Sequence, residues 1–210
     1  MILRRAAVRP YKLLSVLLCY PDEALVEAHE EIAEEVASLP ESGTKRSLVA
    51  FGEYLAGRDA VELAQGYVET FDLRRRTSLY LTYYLHGDTR KRGMALLRLK
   101  RLYAAGGLEL ATGELPDYLP LVLEFAALVP DEVGETVLRE HRPSLELLRA
   151  GLHEAESPYA HVLDALCAGL PRLSQLERER VRKLAADGPP SETVGLQPFA
   201  PPEVMPGSRA

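Results

Sequence analysis

The residues of this chain whose types and spacing could do chemistry crowd between Tyr67 and Phe125, a stretch with six tyrosines, nine lysines and arginines and a few embedded carboxylates. Tyr67 with Phe71, and Tyr80 with Tyr84, stand four residues apart, so on a helix each pair faces one way. Asp117, in ELPDYLP, precedes an apolar run and has the form of an N-cap. Pro120 would then take the third helical position and offer no N–H, which leaves part of the carboxylate's capacity to face outward. Glu124 is the one polar residue in PLVLEFAALVP. A helix apolar all round is buried, so this carboxylate needs a partner. That partner is one of Arg74, Arg75 or Arg76, or else a basic or amide group of a bound molecule. The clusters Arg74 to Arg76 and Arg90 to Arg92 form either a solvated face or a contact for phosphate or acidic groups, with Arg74, Arg75, Arg76 and Arg90 as the candidates.

This chemistry is recognition, not turnover. The five histidines, His29, His86, His141, His153 and His161, lack the spacing of a metal site, and no phosphate-binding glycine loop occurs. No nucleophile stands with a base, so a catalytic reading has no residues to carry it. Aromatic stripes are most often core. Several phenol hydroxyls in one short segment still need partners, and a groove for a peptide would use both ring faces and hydroxyls.

The elements that must position these residues are helical. Apolar residues recur at helical spacing almost throughout, and no alternating β-branched run argues for a sheet. The expected helices span 11–19, 22–38, 42–56, 59–70, 75–85, 89–105, 117–129, 131–140, 143–154, 159–169 and 174–187, an all-α single-domain bundle of about ten or eleven helices. Domain limits of 1–187 for the helical part and 188–210 for a disordered tail follow from nine Pro or Gly among the last 23 residues. A length of 210 residues with 47% hydrophobic content supports one sizeable core. The apolar run Leu13 to Cys19 is too short to span a bilayer and is followed by Pro21 and acidic residues, so it reads as the first core helix, with no membrane insertion. Cys19 and Cys167, each in apolar surroundings, read as buried thiols of a reducing compartment, which places the chain in the cytoplasm. The net charge of −6 hides nine Lys/Arg against two Asp between 72 and 101, net +7, with −13 elsewhere. A helical nucleic-acid-binding or regulatory protein using the basic segment 74–101 is the alternative, but such proteins are basic throughout the binding module, and here the rest is acidic.

The combination of LLSVLLCYPDE, YVETFDLRRRTSLYLTYYLHGDTRKRG, ALLRLKRLYAAGGLE and ELPDYLPLVLEF resembles the NarJ branch of the NarJ/TorD family of molybdoenzyme assembly chaperones, over about the first 130 residues. Tyr118 stands where the wider family often has histidine after E-x-P-D. The resemblance implies a TorD-like all-helical fold and a chaperone without catalysis. It implies binding of the N-terminal segment of the apo catalytic subunit of respiratory nitrate reductase while molybdenum cofactor is inserted. Carried over by motif, the peptide groove comprises Tyr67, Phe71, Tyr80, Tyr84, Asp117, Tyr118 and Glu124. No cofactor is expected to bind stably, the molybdenum bis-guanine-dinucleotide cofactor being handled by the partner. Cofactor biosynthesis proteins are a second class of partner, and no nucleic acid is expected.

Overall fold

In the computed structural model, which describes residues 10–110, 113–188 and 190, the chain forms twelve α-helices and no β-strand among the described residues. They are α1 (Tyr11–Leu17), α2 (Glu23–Glu27), α3 (His29–Ser38), α4 (Gly43–Leu55), α5 (Ala60–Tyr67), α6 (Leu81–His86), α7 (Arg90–Ala105), α8 (Leu119–Leu128), α9 (Asp131–Glu140), α10 (Arg142–Glu154), α11 (Ala160–Gly169) and α12 (Gln175–Asp187). Local chemistry sets many of the boundaries. The Asp22 carboxylate accepts from the Leu25 N–H at 3.0 Å and Ser42 from the Lys45 N–H at 3.2 Å. Asp59 with Glu62, and Ser174 with Glu177, form reciprocal capping boxes.

Two expected helices are broken. The stretch 22–38 divides at Ala28, giving α2 and α3. The stretch 75–85 is a 3₁₀ turn (Arg75–Thr77), an extended link and then α6, while α5 widens into a π-turn over Val68–Asp72. Gly151 explains why the 3₁₀ turn lies where it does: a Cβ there would stand 2.6 Å from the Arg76 carbonyl oxygen, so only glycine lets that turn rest on α10.

The core is built around α11, which packs most extensively on α4 and also touches α10 and α1; α1 lies along α8. Thr44 donates to the Ala165 carbonyl at 3.0 Å, Ser15 to the Pro120 carbonyl at 2.8 Å, and Arg142 to the Cys167 carbonyl at 3.3 Å. Arg142 and Glu146, both nearly buried, pair at 2.6 Å, and Arg149 continues the chain of charges to Asp164. Cys167 is buried as expected, but Cys19 is exposed at the end of α1. No helix among the described residues is long and apolar enough to cross a membrane. The expected tail, 188–210, falls outside the described residues except at Gly188 and Pro190. The Pro190 carbonyl passes so close to Gly87 that a Cβ there would meet it at 1.8 Å.

His141, buried at the end of α9, sets a pH limit on this core. Burial pulls its pKa below the ordinary 6.5, outweighing the opposite effects of the Val137 carbonyl, Glu140 and Asp117. Below pH 6.5 the unfolded chain takes up a proton that the folded His141 refuses, so stability is lost as pH falls through that window. Urea unfolding at pH 7.5 and 5.5 should show the loss, and His141→Gln should reduce it. An equal loss in the variant refutes the role.

Candidate partner-binding surface

Of the predicted aromatics, Tyr67 and Phe71 are brought together, but one layer down. The rings of Tyr67 and Phe71 stand 4.8 Å apart, and both touch Tyr159, at 5.8 and 4.8 Å, which continues to Phe51 at 5.1 Å. This is core. Burial, above all, pushes the Tyr67 hydroxyl far above the ordinary tyrosine range. That hydroxyl lies 3.2 Å from the Leu18 carbonyl and 3.0 Å from the Tyr118 hydroxyl, so it is spent inside the molecule.

Tyr80 and Tyr84 do not share a helix face. Tyr80 sits before α6 in extended conformation, its ring 5.6 Å from Tyr118 and its hydroxyl donating to Glu114 at 2.8 Å. Tyr84 points the other way, its hydroxyl shared between the Ser78 and Arg76 carbonyls at 2.9 and 3.0 Å. The cause is an isolated antiparallel bridge between Tyr80 and Tyr118. Leu81 donates to the Asp117 carbonyl at 3.0 Å and Leu119 to the Leu79 carbonyl at 2.9 Å.

That bridge also decides Asp117. It does not cap the helix after it: α8 begins beyond Tyr118, with no side-chain cap and Pro120 in its first turn. Asp117 is 0% exposed and reaches across to the N-terminus of α6. Its Oδ2 accepts from the Thr82 N–H at 3.0 Å and from the Thr82 hydroxyl, with the Arg92 guanidinium 3.8 Å away. Oδ1 has no partner. The outward-facing capacity expected of this carboxylate is absent.

Glu124 pairs with Lys12 of α1, not with Arg74, Arg75 or Arg76, and the two side chains are 40% and 63% exposed. The apolar helix α8 is less deeply sunk at this position than its composition implies. An ion pair so accessible contributes at most about 1 kcal/mol. Glu124→Gln is therefore expected to change the unfolding free energy by less than about 1 kcal/mol. A loss of about 3 kcal/mol in chemical denaturation would restore the buried-pair reading. The basic segment is partly neutralised: Arg76 pairs with Glu154 at 2.8 Å, Arg92 with Asp88 at 3.2 Å, and Arg98 with Glu140 at 2.5 Å.

The exposed feature that covers this layer is Tyr20, a residue sequence reasoning passed over. It is 55% exposed, and its ring meets Tyr67 edge-on at 5.4 Å. A large aromatic just before Pro21, at the end of an apolar helix, was the signal available. Two depressions of about 650 and 610 Å³ meet at Tyr20 and Asp22. Val61, Ala64 and Val68 wall the first; Leu13, Val16 and Ile32 wall the second. Their rims carry Asp22, Glu23 and Glu69 on one side and Glu31 and Glu35 on the other, with one cation, Lys12, already paired to Glu124. Among the described residues no group of His, Cys, Asp and Glu is arranged to hold a metal ion.

Fold and surface together define an all-α protein that carries two apolar depressions with acidic rims on one side. The profile of the family described as nitrate reductase delta subunit matches residues 38–165. The nitrate reductase molybdenum cofactor assembly chaperone NarJ of Escherichia coli K12 is 39% identical over 157 residues, covering 73% of this chain and 66% of that protein. A candidate chaperone of the same description from Bacillus subtilis strain 168 is 36% identical over 170 residues, 80% of this chain and 91% of that one. The nitrate reductase-like protein NarX of Mycobacterium tuberculosis H37Rv is 39% identical over 153 residues, but the chain spans only 23% of its length. A solved structure described as a candidate redox enzyme maturation protein from Archaeoglobus fulgidus has the same fold, with a TM-score of 0.59 at 23% identity over 79% of this chain and 94% of that one. The chain belongs to the nitrate reductase delta subunit family. The all-α, TorD-like fold and the NarJ-type family resemblance read from the sequence both hold.

Proposed function

We propose that this chain is a cytoplasmic chaperone of nitrate reductase assembly that binds the N-terminal segment of the apo catalytic subunit during molybdenum cofactor insertion. The observation that carries the reading is the acid-rimmed apolar groove meeting at Tyr20. An amphipathic helix would lay its apolar face on Tyr20 and the flanking aliphatic walls and set its cations against Asp22, Glu31 and Glu35, the helix-in-groove mode. Of the predicted residues, Tyr67 backs Tyr20 directly, and Phe71 and Tyr118 in turn contact Tyr67. The relatives named as cofactor assembly chaperones agree with the reading. The cofactor itself stays with the partner, and proteins of cofactor biosynthesis are further partners of the complex. The nucleic-acid alternative is not favoured, because three of the arginines in segment 74–101 are already paired to carboxylates.

Titration calorimetry of the full chain with an N-terminal peptide of the catalytic subunit should give 1:1 binding with a negative heat-capacity change. Tyr20→Ala should weaken that affinity by about 2 kcal/mol, roughly 30-fold, as expected for a central aromatic anchor. The melting temperature should fall little, since most of the ring is in solvent. No heat with the wild-type chain, and no competition by the intact catalytic subunit, would sink the peptide reading. Unchanged affinity in Tyr20→Ala would move the site elsewhere.

A further inference from the structure

The arginines singled out in the sequence are not absorbed by the groove at Tyr20, and the fold sorts them. Arg74 and Arg75, with Arg92 from α7, line one cleft of about 400 Å³ beside the π-turn. Arg76 turns away to Glu154, and Arg90 forms no part of the cleft wall. None of the lining residues belongs to the depressions at Tyr20. Arg92 is the fixed member. Its side chain is only 18% exposed, held by the Thr82 hydroxyl at 3.3 Å, Asp88 at 3.2 Å and Asp117 at 3.8 Å. Arg74 and Arg75 are the open members, exposed on the rim with no carboxylate paired to them among the described residues. Ser78 supplies a hydroxyl, and Tyr80 and Tyr83 supply ring walls.

We propose that this cleft is a second binding site, for a phosphorylated small molecule of the diphosphate class. Three arginines line it, two of them with no carboxylate paired among the described residues, and a planar fork of N–H groups is the arrangement that grips phosphate oxygens in pairs. The volume exceeds that of one phosphate and lies in the range of small-molecule sites. Two carboxylates also line the cleft, Asp72 and Asp88, and they set its selectivity. Asp88 competes with the ligand for Arg92 and, being exposed, can swing into solvent when an anion arrives.

The test is calorimetric titration of the full-length chain with inorganic pyrophosphate. Saturable binding is expected. The double variant Arg74→Gln/Arg75→Gln should weaken it about 10-fold or more, since two charge-assisted contacts are lost. Arg76→Gln, which alters a neighbouring arginine outside the cleft, should leave it within about 2-fold, and Asp88→Asn should tighten it severalfold by releasing Arg92. Circular dichroism melts of all variants should match the wild type, because each altered side chain is exposed. No saturable binding, or equal weakening by Arg76→Gln, overturns the proposal. Because the catalytic-subunit peptide binds at Tyr20, its affinity should be the same in the double variant, so failure here is distinguishable from failure of the peptide reading.

Discussion

Tyr159→Ala is expected to lower the unfolding free energy by about 3–5 kcal/mol, the range for truncating a buried aromatic. Tyr159 is 2% exposed at the start of α11, and its ring touches Phe51, Tyr54, Tyr67 and Phe71 at 4.8–6.1 Å. Removing it takes one wall from each of four rings drawn from α4, α5 and the π-turn, and rings so fixed cannot collapse into the gap. Tyr159→Phe separates the ring from the hydroxyl. Among the described residues that hydroxyl has no hydrogen bond, so the phenylalanine variant should stay within about 1 kcal/mol of wild type. Urea denaturation measures both. A loss below about 1 kcal/mol for the alanine variant would show that the cluster repacks and is not the keystone of this side of the bundle.

Asp117→Ala should cost about 3 kcal/mol, with Asp117→Asn intermediate. The alanine strands the Thr82 N–H at the first turn of α6 and leaves the Arg92 guanidinium without its buried counter-charge. Asparagine still accepts from Thr82, but it surrenders the charge and adds an N–H₂ with no acceptor waiting. Peptide affinity per folded molecule should be unaffected, because the carboxylate is wholly enclosed. Denaturation curves read the first expectation and calorimetry on the folded fraction reads the second. Intact stability with a tenfold fall in affinity would return Asp117 to the partner contact that its motif suggested.

What was legible in the sequence is what neighbours along the chain decide. The helical period, the caps at Asp22, Ser42, Asp59 and Ser174 and the turn at Gly57 each rest on residues within four positions of one another. The Tyr67 and Phe71 pair also survived, since the π-turn that carries Phe71 still leaves the two rings adjacent. The break at Ala28 was not legible, for no proline or glycine marks it.

The sequence by itself determined that this protein is an all-α bundle with an aromatic, arginine-rich middle, because composition and period need no knowledge of what lies across the fold. Only tertiary structure decided what each polar residue faces. Glu124 meets Lys12 across 112 residues and Asp117 meets Thr82 across 35, and no local pattern encodes either meeting. The bridge between Tyr80 and Tyr118 turned a supposed helical pair in opposite directions, and packing left Tyr20, not Tyr67 beneath it, with its ring toward solvent. A side chain's partner is fixed by where the backbone of another element is anchored, and that anchoring is a property of the whole packed chain.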